Sequence, residues 1–257
     1  MFARLFWLAS ALILLLAGCD QASRMSKFAS ENEQAVAKGY IDQLRAHDFE
    51  TIEKSLDKRI AGSDIRDTLE KMSALIPESE PRSIKLVGAQ KYSQNGVTSL
   101  NTTFEYQFPE GWLLVNVAIE KRDGTKVITG FNVYPRTQSL EEENRFSLVG
   151  KQPIHYFVLA GMIAAVLISL YALVACMRSK ALSKKWLWIL FILVGMSQLK
   201  VNWTSGAWGI VPLSIQLLSA GVVAQPYGPL ILSFSIPVGA IVFLLYGRKK
   251  KGVPVES

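Results

Sequence analysis

Ile154 to Cys176 is a run of 23 residues without one charged side chain. A helix of that length crosses a hydrocarbon layer that needs ~20 apolar residues, so the run constrains the chain more than any other segment. It also marks a change of character. Residues 20–150 carry 17 Lys+Arg against 20 Asp+Glu, whereas residues 151–257 carry 10 against 1. The pI of 9.4 therefore belongs to the apolar half. Nucleic-acid binding needs a basic face on the folded domain, and residues 20–150 are mildly acidic.

Eight of the ten basic residues after position 150 fall in two clusters, Arg178 to Lys185 and Arg248 to Lys251. Basic clusters mark the cytoplasmic side of a membrane. Placing both there gives three transmembrane helices, 154–176, 186–203 and 228–246, with a cytoplasmic loop at 177–185 and a cytoplasmic tail at 247–257. The segment 207–224 is apolar, but a fourth span would carry the tail across. Pro212, Gly221 and Gln225-Pro226 make it an interfacial or re-entrant helix. Gln198 and Asn202 share a helix face within the second span, where Lys200 can snorkel. Pro237 frees the Ser233 carbonyl of the third, so these four form the candidate intramembrane polar and hinge group. Gly161 and Ala165 form a small-xxx-small seat for another helix. No acidic residue lies inside a span, which argues against a transport pathway. His155 opens a span and reads as interfacial.

The chain starts with a basic Met1 to Arg4, an apolar Leu5 to Leu15, and then Leu16-Ala17-Gly18-Cys19. This layout is that of a secretory signal, and with cysteine at the cut site it resembles the lipobox of bacterial lipoproteins. The resemblance implies that residues 1–18 are removed, that Cys19 is acylated, and that 19–29 tether a periplasmic domain. Asp20 resembles the inner-membrane retention signal of enteric lipoproteins. The positive-inside reading places the same domain outside the cytoplasm independently. Cys176 is the second of two cysteines, so no disulfide framework exists in residues 20–150.

Residues 30–135 read as one α+β domain, followed by a polar linker at 136–153. Ser30 with Glu33 forms a capping box for a helix carrying Val36, Tyr40, Ile41 and Leu44. Asp48 caps a second helix with Phe49, Ile52 and Leu56, and Ser63 a third with Ile65, Leu69 and Met72. A strand over 84–92 precedes three alternating stretches: Leu100 to Phe108, Leu113 to Ile119, and Val127 to Val133. Asn95-Gly96, Pro109-Glu110-Gly111 and Asp123-Gly124 are hairpin signals.

Ala35 to Leu44 followed by His47-Asp48-Phe49-Glu50 resembles the opening helix and turn of the nuclear-transport-factor-2-like (cystatin-like) superfamily. That resemblance implies a cone-like sheet around a long helix. The expected fold class is thus a cone-like α+β periplasmic domain, with three helices before a four-stranded antiparallel meander. An all-α membrane domain of three transmembrane helices and one interfacial segment follows it. The superfamily holds enzymes as well as binding modules, so fold alone assigns no activity.

An enzyme would need a titratable group on the inward sheet face. There the polar groups are Thr102, Tyr106 and Thr129, while the glutamates fall on the other register. His47, in a turn between helices, has no partner that sequence can supply. No metal cluster, phosphate loop or nucleophile elbow occurs, and no cofactor is expected. These features favour a non-enzymatic inner-membrane lipoprotein. Its domain would bind an envelope protein or a small apolar ligand. The alternatives are an enzyme acting on an apolar substrate in the cone, or a small transporter subunit.

Overall fold

The computed structural model describes residues 28–122, 124–180, 182 and 184–247, and divides at Leu140/Glu141 into two compact units. The signal peptide, Cys19, Asp20 and the tail from residue 248 lie outside the described residues.

In the first unit α1 (Glu31–Arg45) starts at a reciprocal capping box. Ser30 Oγ accepts from Glu33 N at 3.4 Å, and Glu33 Oε2 accepts from Ser30 N at 3.0 Å. Two of the orphan N–H groups at the helix start are satisfied in this way. Ala37, Ile41 and Leu44 form its buried stripe. The chain turns at His47, whose φ of 57° is left-handed, and Asp48 caps α2 (Phe49–Ser55) through Thr51 N. Helix α3 (Ile65–Ser73) follows, with Asp64 rather than Ser63 at its N-cap.

Four antiparallel strands then run in chain order: β1 (Ser83–Gln94), β2 (Val97–Gln107), β3 (Trp112–Arg122) and β4 (Thr125–Arg136). Asn95 and Gly96 supply the two positive φ angles that a tight β1–β2 hairpin requires. Phe104 faces Val115 and Thr102 faces Val117 across β2–β3, and Val115 faces Val133 across β3–β4. One helix layer covers this inward face. Ile41, Leu44, Ile52 and Leu69 pack with Phe104, Val115, Val117 and Ile128 into a single core.

A bulge between Ala118 and Ile119 leaves Thr129 as the extra residue of β4. A bulge shifts the alternation by one, so Ile128 points into the core where Val127 and Thr129 were expected. The Ile128 carbonyl accepts Asp57 N at 2.8 Å, and Leu56 makes an isolated parallel bridge to Ile128. Asp57 also receives Arg59 Nε at 2.8 Å. This charge-assisted pair holds the Asp57 carboxyl at about 2 instead of its ordinary 3.8. A depressed acid stabilises the fold above the unfolded value of ~3.9 and loses that contribution as pH falls through the folded one. A carboxyl NMR titration of Asp57 should thus have its midpoint near 2. Arg59→Ala should return it towards the ordinary aspartate range. An unchanged midpoint in that variant would refute the pairing.

The second unit corrects the expected fold class. Among the described residues the chain has seven helices and eight strands in two antiparallel sheets, with a single helix long and apolar enough to cross a membrane. After a short helix, α4 (Leu140–Glu143), that long helix is α5 (Pro153–Arg178). The expected span 186–203 is instead α6 (Lys185–Ile192) followed by β5 (Val194–Asn202). The expected interfacial helix 207–224 is β6 (Trp208–Leu217) and β7 (Ala220–Ala224). The expected span 228–246 is β8 (Leu230–Ile236), α7 (Val238–Val242) and a π-helical turn, Phe243–Gly247. The strand order is β6-β5-β8-β7.

The physical cause is local. β6 alternates with period two on either side of a slip at Pro212-Leu213, and Gly195, Gly209, Gly221 and Pro212 all disfavour a helix interior. Pro237 kinks no span, because it is the N-cap of α7 and ends β8. Gly161 accepts the ring of Phe234 from β8 rather than another helix.

Candidate functional site

In the first unit, the expected pocket groups do not converge. Thr102 is fully buried and its hydroxyl donates to Val117 O at 3.2 Å. Tyr106 is buried four residues along the same strand, about 13 Å away at ~3.3 Å per residue. Its hydroxyl has no hydrogen-bond partner. Burial, with Asp42 adding to it, pushes that phenol above its ordinary range. Thr129 is only half-buried, on the bulge. Apolar side chains fill the space between these three. Among the described residues of this unit the buried carboxylate is Glu105, on the opposite sheet face, where it accepts Leu140 N.

A concavity lies at the far end of α1. Asp42, Arg45, Ala46, His47, Ser73, Ile76, Pro77 and Glu78 line a cleft of about 440 Å³. That volume falls within the range of small-ligand sites. The left-handed His47 ends the helix and turns its ring to Ser73 of α3, with Nδ1 to Oγ at 3.3 Å. Phe49 meets the ring edge-on at 5.5 Å.

Ser73 Oγ also lies 3.0 Å from Leu44 O. A hydroxyl has one proton, and a carbonyl can only accept it. The Ser73 proton therefore goes to Leu44, and His47 Nδ1–H donates to Ser73 Oγ. In the neutral ring Nε2 then carries the lone pair. This polarity is the reverse of a nucleophilic serine–histidine pair, in which the histidine takes the serine proton. Arg45 is engaged with Glu80 at 3.1 Å and with Ser79 O at 3.2 Å.

Sequence reasoning singled out His47 but could not give it a partner, because Ser73 lies 26 residues away on another helix. Pairing α1 with α3 is a tertiary event without a sequence signal of its own.

In the second unit the structure joins two of the four expected intramembrane groups. Gln198 Nε2 donates to Ser233 Oγ at 2.9 Å, and Gln216 Nε2 donates to the same oxygen at 2.9 Å. Ser233 passes its proton to Gly221 O, and Ser235 donates to Gln216 Oε1 at 2.8 Å. Asn202 lies apart, its Oδ1 accepting Thr204 N and Ser205 N in the turn before β6. Pro237 caps α7 and contributes no polar group to the cluster.

His155, expected at an interface, is 2% exposed and packs edge-on against the buried Trp203 at 5.2 Å. Trp203 Nε1 donates to Ser147 O, and Lys151 Nζ donates to Trp203 O. Residues 144–151 are thereby tied to the β5–β6 turn.

In comparisons with known proteins, no family model, curated sequence or solved structure matches this chain.

Proposed function

We propose that the chain is a lipoprotein of a bacterial inner membrane whose domain of residues 30–135, on the likeness to the nuclear-transport-factor-2-like superfamily, is a non-enzymatic binding or assembly module in the periplasm. The observation that carries this reading is the filled inward sheet face. Phe104, Val115, Val117 and Ile128 leave no solvated acid or base where catalysis in a cone would need one. Recognition then falls to the cleft beside His47, which suits a segment of an envelope protein. A photo-crosslinking residue at Ile76, in the cleft, should give a discrete adduct in intact cells. The same residue at exposed Tyr134 should not. Adducts at neither position, or equally at both, would remove the cleft from the proposal. Anchoring is tested separately: Cys19→Ala should abolish palmitate labelling and leave a longer, unprocessed chain.

His47 is the observation in favour of an enzyme. With Nδ1 committed to Ser73, Nε2 faces solvent as an available base.

A further inference from the structure

The second sheet is built inside out. On β6, Ile210, Leu213, Ile215 and Leu217 are exposed, Leu213 to 94% and Ile215 to 81%. Val211, Ser214 and Gln216 are less exposed, with the alternation slipping at Pro212-Leu213. Gln216 joins the buried Ser233 and Ser235 and reaches Gln198 through Ser233. Val222 and Val223, on opposite faces of the edge strand β7, are both exposed as well. A sheet facing water shows the opposite pattern, polar outwards and apolar inwards. Strands whose outer solvent is lipid show this one.

Three further features agree. Lys200, exposed near the end of β5, is the one charged residue of the sheet and can snorkel. No Asp, Glu, Lys or Arg occurs from Val201 to Gly247, a stretch of 47 residues. An open strand edge is costly in hydrocarbon because its backbone groups lack water. Where the β5–β6 register slips, freed carbonyls find hydroxyl partners within the sheet: Ser197 Oγ donates to Pro212 O at 2.8 Å and Ser214 Oγ to Val211 O at 3.1 Å. Apolar exposure also continues onto α5 at Phe157, Ile163 and Leu167, as a surrounding solvent requires and a single partner patch does not.

We infer that the β6-β5-β8-β7 sheet is a membrane-embedded element, with its polar cluster inside and its apolar face against lipid acyl chains. The inference rests on the reading that the chain is a membrane protein, and it replaces the interfacial helix expected at 207–224.

The test places nitroxide labels on the full chain in liposomes, at Leu213→Cys, Ile215→Cys and Leu217→Cys in a Cys176→Ala background. Tyr92→Cys in the first unit serves as the aqueous reference, and the background chain reports any label at Cys19. Relaxation by oxygen should exceed relaxation by a water-soluble nickel chelate at all three β6 sites, with the order reversed at Tyr92. Nickel relaxation at β6 equal to that at Tyr92 would overturn the inference. So would dipolar broadening between labels, which would assign the face to a second copy of the chain. Alkaline carbonate extraction of the same samples keeps the two readings apart. A chain that stays with the lipid but has water-exposed labels loses only the embedded sheet, whereas an extracted chain loses both.

Discussion

Phe104→Asp and Val117→Asp should each unfold the first unit. Both side chains are fully buried at the centre of the sheet, where each faces the strand opposite: Phe104 pairs with Val115, and Val117 with Thr102. Truncating a buried phenylalanine alone costs about 3–5 kcal/mol. An unpaired carboxylate in the same place adds several kcal/mol, and a domain of this size is stable by ~5–15 kcal/mol in total. The measurement is circular dichroism with urea on a fragment of residues 28–140, which contains no cysteine and needs no redox control. Asn101→Asp, on an exposed position of the same strand, should shift stability by no more than ~0.5 kcal/mol. Cooperative native-like unfolding of both core variants would show that the sheet faces are reversed.

Gly239→Ala should be the most damaging small substitution in the second unit. A Cβ there falls on the backbone carbonyl of Phe191, so helices α6 and α7 could not keep their approach. Overpacking costs ~1–3 kcal/mol where side chains can move aside, and more where the obstacle is backbone. Trp188 sits 5.4 Å from Phe243, so its fluorescence reports this contact directly. The variant should show a lower thermal midpoint in detergent and a shifted tryptophan emission. Gly39→Ala is the contrast. Nothing lies within 4 Å of the added methyl, and alanine favours the helix by up to ~1 kcal/mol. Equal midpoints for the two variants would mean that α6 and α7 are not packed as described.

What could be read from the sequence divides along the same line as the chain. In residues 30–135 the signals were local: Ser30 with Glu33, Asp48 with Thr51, Asn95-Gly96, and polar–apolar alternation on β2 and β3. Thr129 was misplaced because a bulge slips the alternation without a distinctive residue to announce it. In residues 186–246 the expectation failed as a whole. Continuous apolar runs carry no period, so Trp186 to Trp203 reads as a helix although it breaks at Leu193 and continues as a strand. Stronger cues were present in Gly195, Gly209, Pro212 and Gly221, residues that weaken helices. In a membrane helix glycine and proline are tolerated, so these residues do not exclude one by themselves, and Pro212 and Gly221 read equally as the ends of a short interfacial helix. At the cleft, His47 was visible in the sequence, but the Ser73 hydroxyl that sets its tautomer was not.

The strand order of the second sheet bears on how the protein is made. β5 pairs with β6 almost at once, but its other edge waits for β8, and Met196 finds Ile236 only after 40 more residues have been added. At ~5–20 residues per second, that interval is about 2–8 s. During it Gln198 has no Ser233 to receive its amide, and one edge of β5 lacks its hydrogen bonds. A nascent chain released into lipid one segment at a time would strand these groups in hydrocarbon. If the sheet is embedded as inferred above, residues 194–236 are therefore expected to enter the membrane as a single late event, after β8 has emerged.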